Sequence, residues 1–156
     1  PRWNLEESAH LRRKASVPLA IHVSLPYAEH GQLATDALRA IKLGACDGFN
    51  FNGGLYAFRR LSQLADLAGL PYWHGSELDL GVMEAAYVHV SAAGERCTWP
   101  GDIFGRLVRE HDLLRTPLVI EQGHARLPQG PGVGVEIGDA ALAHYRTTHW
   151  EVSKEH

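Results

Sequence analysis

Side chains able to move protons or hold metals are plentiful in this sequence, but no standard motif groups them. Ten histidines are dispersed along the chain, and no HExxH or HxH pattern places two of them on one helix face or strand edge. What stands out is where certain polar residues fall. His22 sits near the end of a short apolar run, Val17 to Val23, and Asn52 directly follows Gly48 to Phe51. His74 ends Pro71 to His74, and Asp79 lies a few residues beyond it. Imidazole and carboxylate groups at such ends are the material of acid–base catalysis. Imidazole also binds transition metals, whereas Mg2+ prefers hard oxygen ligands. Ser24 and Ser76 fall at the same ends, either lining a shared mouth or serving as turn and cap residues. Cys46 and Cys97 are too few for a disulfide framework and match no zinc spacing, so they read as packing residues in a reducing compartment. Gly130 to Gly134 is followed by no Lys-Ser/Thr and no helix start, which argues against a phosphate loop. No G-x-S-x-G elbow supports a Ser-His-Asp triad.

The elements that must position these residues alternate between helix and strand. Asn4 with Glu7 three residues later forms a capping-box pattern that opens a helix to about Lys14. Val17 to Val23 predicts a strand buried on both faces. A helix follows from about Gln32 to Leu43, with Gly44 as its C-terminal stop. Gly48 to Phe51 predicts the next strand. Leu55 to Ala68 predicts a helix whose Leu55, Phe58, Leu61, Leu64 and Ala65 make an apolar stripe. Pro71 to His74 is the third strand, and Leu80 to Ala92 the fourth helix. Strand–helix units recurring every roughly 25 to 30 residues imply parallel strands joined by right-handed crossovers. Such units build either an open doubly wound sheet or a (β/α)8 barrel; a whole barrel needs about 250 residues, so 156 residues could supply only part of one. Beyond Thr98-Trp99-Pro100 the texture changes. Pro117 to Leu127 predicts a hairpin around Gln122-Gly123, and a short helix from Asp139 to Tyr145 precedes a polar tail. Residues 1–100 thus read as the strand–helix units, and 101–156 as hairpin, final helix and tail of the same domain.

Composition narrows the function classes. Hydrophobic residues make up 45% and the formal net charge is -3, with basic residues scattered and no stripe suited to nucleic acid. No apolar run approaches the roughly 18 residues of a membrane span, and no signal peptide is visible. The expectation is a cytoplasmic protein with no nucleic-acid or membrane partner. The first residue is Pro, which suggests a processed or trimmed chain, or part of something longer.

Several segments, in order, resemble the second half of the mandelate racemase/muconate lactonizing family of the enolase superfamily. Leu11-Arg12-Arg13 followed by Val17-Pro18-Leu19-Ala20 resembles the helix and strand leading to that family's Asp-Glu-Ser. Ala45-Cys46-Asp47-Gly48-Phe49-Asn50-Phe51-Asn52 resembles its A-D-V-I-N-I-K strand, and Gly53-Gly54-Leu55 its G-G-L helix start. Ala65 to Pro71 is similar to A-E-A-A-G-I-P, and Gly75 to Gly81 to G-S-M-L-E-S-G. Leu127-Pro128 through Gly130-Pro131-Gly132-Val133-Gly134-Val135-Glu136 is similar to V-P-D-G-P-G-L-G-V-E. The likeness runs from about Glu6 to Tyr145.

The resemblance implies the C-terminal half of a (β/α)7β barrel, with a C-terminal β-hairpin and tail. It also implies metal-assisted α-proton abstraction from a small carboxylate or hydroxy-acid substrate, as in racemases, cycloisomerases and acid-sugar dehydratases. Mg2+ would sit on three carboxylates at successive strand ends. Here the third of those positions holds His22, which makes His22 the candidate metal ligand and favours Zn2+ or no metal. The family's base, the Lys of N-I-K, is replaced by Asn52. His74 comes near the place of the mandelate racemase His, one residue early, and Asp79 matches the carboxylate after the next strand. His74, Asn52 and Asp79 are therefore the candidate catalytic positions, and Ser24 and Ser76 the candidate substrate-binding ones. The capping domain, the Lys-x-Lys strand and the first two carboxylates lie outside this sequence. The expectation is a chain inactive alone, which self-associates or depends on a missing N-terminal half, with unpaired backbone along both end strands. A degenerate non-catalytic relative, or a His-based metal-binding module, is the alternative.

Overall fold

The chain builds the expected strand–helix units in the expected order, as the computed structural model shows for residues 4–23, 33–76 and 78–149. The elements are α1 (Leu5–Arg12), β1 (Ala20–Val23), α2 (Leu33–Leu43), β2 (Gly48–Phe51), α3 (Gly54–Ala68), β3 (Tyr72–His74) and α4 (Gly81–Ala92). A shorter series follows: α5 (Gly105–Val108), β4 (Ile120–Glu121), β5 (His124–Ala125) and α6 (Asp139–Tyr145). The Asn4 side chain accepts the Glu7 N–H at 3.0 Å, which is the predicted N-cap. The first strand starts at Ala20, later than Val17. Pro18 has no N–H to give a ladder, and Leu19 spends its N–H on the Asp47 carboxylate at 2.9 Å.

The strands form a parallel sheet in the order β1-β2-β3. In register, His22 lies beside Asn50 and Asn50 beside Trp73, while Val23, Phe51 and His74 form the neighbouring row. Because side chains alternate along a strand, these rows occupy opposite faces. Ile21, Val23, Phe49, Phe51, Tyr72 and His74 point toward the helices. There Phe51 meets Phe58 of α3 with ring centroids 6.5 Å apart, and Phe58 meets Tyr87 of α4 at 5.9 Å. Phe49, Phe51, Phe58 and Tyr72 are fully buried in this layer, each contributing about 1.5–3 kcal/mol by leaving water. The other face, which in a closed barrel would be the interior, carries Ala20, His22, Asn50 and Trp73.

The expectation of bare end strands does not hold on the β3 side. Along β3 the segment 96–102 runs as an irregular fourth strand. Tyr72 N–H donates to Arg96 O at 3.0 Å, and Trp99 and Asp102 N–H donate to Tyr72 O and His74 O at 3.4 and 3.3 Å. Pro100 supplies no donor, so this run never becomes a regular ladder. Trp99 folds over the interior face against Trp73, ring centroids 5.6 Å apart. It leaves no room for a side chain at Gly48, where a Cβ would meet the indole at 2.6 Å.

The C-terminal stretch is anchored by a second small core of Ala85, Leu114 and Leu118, with Val133 and Val135 against it. The hairpin forms where predicted, β4 pairing antiparallel with β5 across Gln122-Gly123. Both turn residues have positive φ, 49° and 79°, as a two-residue hairpin turn requires. Helix α6 buries no residue.

Candidate functional site

Polar groups gather where β1, β2 and β3 end, and the chain direction shared by parallel strands puts them at one end of the sheet. Asn52 follows β2, its N–H donating to Val23 O at 3.0 Å. Gly75 follows β3, its N–H donating to Phe51 O at 3.0 Å. Asn52 Nδ2 reaches across to Ser76 O at 3.2 Å, and Ser76 N–H donates to Asp102 Oδ1 at 3.2 Å. His22 stands exposed on β1 in register with buried Asn50.

Asp102 is the residue the sequence reading missed. It is held by the Ser76 N–H and by the Trp73 indole, yet partial desolvation outweighs these bonds and pushes its carboxyl above the usual range. A positive charge on His22 pulls the other way, so the two groups sense each other at the mouth. The signal was hidden because Trp99-Pro100-Gly101 does not read as a strand. Nothing in the pattern therefore marked Asp102 as a strand-end carboxylate.

The predicted residues part company here. His22, Asn52 and Ser76 share the mouth, whereas Ser24 lies outside the described residues. His74 is on the opposite face and 3% exposed, stacked on Tyr87 at a centroid distance of 3.5 Å. Neither ring nitrogen has a partner among the described residues, and burial drives its pKa down to about 3. In a strand a shift of one residue reverses the face, and the imidazole offered as a catalytic candidate points into the helix layer. Asp79 acts electrostatically on Glu84 in the first turn of α4. Glu84 is itself buried, which raises its pKa although the Gly105 N–H donates to it. Asp79 thus belongs with Glu84 and Asp112, beside the α4 start.

Mg2+, which the resemblance implies, does not fit this set. The position expected to give a carboxylate offers an imidazole, the neighbouring acceptors on β2 are neutral amides, and Asp102 beside them is a single carboxylate where a hard cation wants two or more anionic oxygens. No group of three or more His, Cys, Asp or Glu suited to a metal occurs among the described residues.

Comparison with known proteins places this architecture. Residues 1–141 match the model of the enolase C-terminal domain-like family. Among curated proteins, the chain is 33% identical to N-succinylamino acid racemase of Thermus thermophilus over 86% of its own length and 36% of that protein. It is 28% identical to chloromuconate cycloisomerase of Cupriavidus pinatubonensis, over 88% of its length and 37% of that protein. The solved structure of 2-chloromuconate cycloisomerase from Rhodococcus opacus 1CP superposes with a TM-score of 0.79 at 24% identity, covering 94% of this chain and 39% of that one. The chain therefore spans little more than a third of these relatives, and the three-stranded sheet with its helices is a partial barrel. By the family model, the order of its strand–helix units and the glycine-rich segment after the hairpin, this chain belongs to the enolase C-terminal domain-like family.

Proposed function

We propose that this chain is the C-terminal half-barrel of a lyase or isomerase lineage acting on small carboxylates or hydroxy acids, and that alone it binds ligands without transforming them. The observation that carries the reading is the mouth itself. Asn52, at the family's base position, presents a buried amide tied to Ser76 O at 3.2 Å, and an amide does not take up an α-proton. Proton abstraction needs a positioned base together with preorganised stabilisation of the developing enediolate. Asn52 and Ser76 supply no base, and His74 is shut away from the mouth. That leaves His22 and Asp102 as titratable groups there, without, among the described residues, the metal clamp or the lysine that the family pairs with such chemistry. The similarity to muconate cycloisomerases, N-succinylamino acid racemase and o-succinylbenzoate synthase supports the lineage. A reducing, cytoplasmic setting suits the free thiols, both of whose pKa values burial pushes up, and no described helix is long and apolar enough to cross a membrane. A missing N-terminal half, or a second copy, would complete the wall beyond β1.

The test is NMR-monitored deuterium exchange at the α-carbon of mandelate-like and sugar-acid substrates, with Mg2+ and Zn2+ supplied, alongside sedimentation. No exchange by the chain alone is expected, and measurable exchange by a monodisperse monomer overturns the reading. Zn2+ binding that disappears in His22→Ala would favour the metal-binding module, with His22 beside Asp102 as its nucleus.

A further inference from the structure

The interior face of the sheet is left open, and parallel sheets are normally covered on both faces. Strand β1 alternates, with Ala20 and His22 exposed on the interior side and Ile21 and Val23 buried against the helices. Trp73 and Trp99, ring centroids 5.6 Å apart, lie half-buried on the same side. Beside Trp99 a groove of about 430 Å³ opens against the stretch Ala15 to Pro18, where Val17 is 64% exposed. Nearer the mouth the face is filled. The Oδ1 atoms of Asn50 and Asn52 meet no donor among the described residues and lie 2.2 and 2.0 Å from where a Cβ on Gly75 would stand. A small molecule has no room there, so a cover for this face must be another surface.

Area sets the size of that surface. A compact monomer of 17.2 kDa exposes about 7,800 Å², whereas this chain exposes 10547 Å². The excess, about 2,700 Å², is about three times what each partner gives to a standard stable interface. Strand number sets its kind. β1, β2, β3 and the run 96–102 fill four positions, half the eight of a closed barrel whose interior side chains just fill it. A second copy, turned about a two-fold axis along the strands, supplies the other four and keeps both mouths at one end. The mouth carries His22 and Asp102, of opposite charge, so two such faces need not repel. We infer that the interior face around Trp73 and Trp99 docks a second copy of this chain, which supplies the missing wall of the mouth. The two sheets meet through side chains, without a ladder to 96–102. The inference rests on the preceding reading in that one chain leaves this mouth unfinished.

Sedimentation equilibrium, with acrylamide quenching of tryptophan fluorescence, tests it. Trp3→Phe and Trp150→Phe leave Trp73 and Trp99 as the only tryptophans of the four. A dimer whose tryptophans become quenchable on dilution is expected. Ala20→Arg, which puts a charge on the exposed interior side of β1, weakens the dimer at least about tenfold and restores quenching. Leu67→Arg, at an 89% exposed position on the outer side of α3, leaves both unchanged. Should Ala20→Arg fail to fold by circular dichroism, Val17→Asp at the groove takes its place. A dimer indifferent to the folded variant, or equal loss in Leu67→Arg, overturns the proposal. So does a monomer with freely quenched tryptophans at every concentration, which would leave the face to a missing N-terminal half. Deuterium exchange at a substrate α-carbon by the dimer would sink the functional reading and leave the interface standing.

Discussion

The two faces of the three-stranded sheet are built on different rules. Toward the helices lie Val23, Phe49, Phe51 and Tyr72, all at 0% exposure, stacked and edge-on with Phe58 and Tyr87. Toward the barrel interior lie an exposed imidazole, two asparagines with idle oxygens and a pair of tryptophans. The first face is a dense apolar layer in which any loss of volume is felt. The second keeps polar groups that cost stability. The contrast separates what this sequence retains to fold from what it presents to a ligand, and each side can be broken on its own.

The largest effect belongs to the helix-facing layer. Phe51→Ala empties a site at 0% exposure flanked by Phe49, Phe58 and Tyr72 and should cost about 3–5 kcal/mol in chemical denaturation. A loss near zero would mean that this layer is not the core. Next comes His74, a titratable group in that same layer. Its pKa is about 3 in the fold against an ordinary 6.5, so between these values the unfolded chain binds more protons. The contribution is complete above about pH 6.5 and is lost as pH falls, amounting to about 2 kcal/mol by about pH 5. His74→Phe should flatten that slope, and an unchanged slope would place the ring elsewhere. The smallest effect lies on neither face. Asn4→Ala removes the cap of α1 and should cost about 1 kcal/mol while leaving the association state unchanged.

Much of the first face was legible in the sequence, because periodicity reports burial. Phe58, Leu61 and Ala65 sit on the stripe read from α3, and β2 appears with the predicted bounds, Gly48–Phe51. The site was harder to read. His74 ends a strand just as Asn52 follows one, and only register tells that they face opposite ways. Asp102 reaches the mouth through a run broken by Pro100, where strand patterning has no purchase, and it becomes visible only through its bond to Ser76. Asn50 read as an ordinary strand residue, since nothing in one dimension shows that its oxygen converges with that of Asn52 above a glycine.

The segment 96–102 also gives the sheet a direction of growth. With its proline and bulged hydrogen bonds it seals the β3 side, where an incoming strand finds few free donors in line. On the far side of β1, no described segment runs alongside. Among the described residues, then, the outer edge of β1 is the side of this sheet left for a further strand, whether from a native companion or from a misfolded neighbour. A Lys or Pro placed on the outer edge of β1 would be the economical way to keep the chain from polymerising at high concentration.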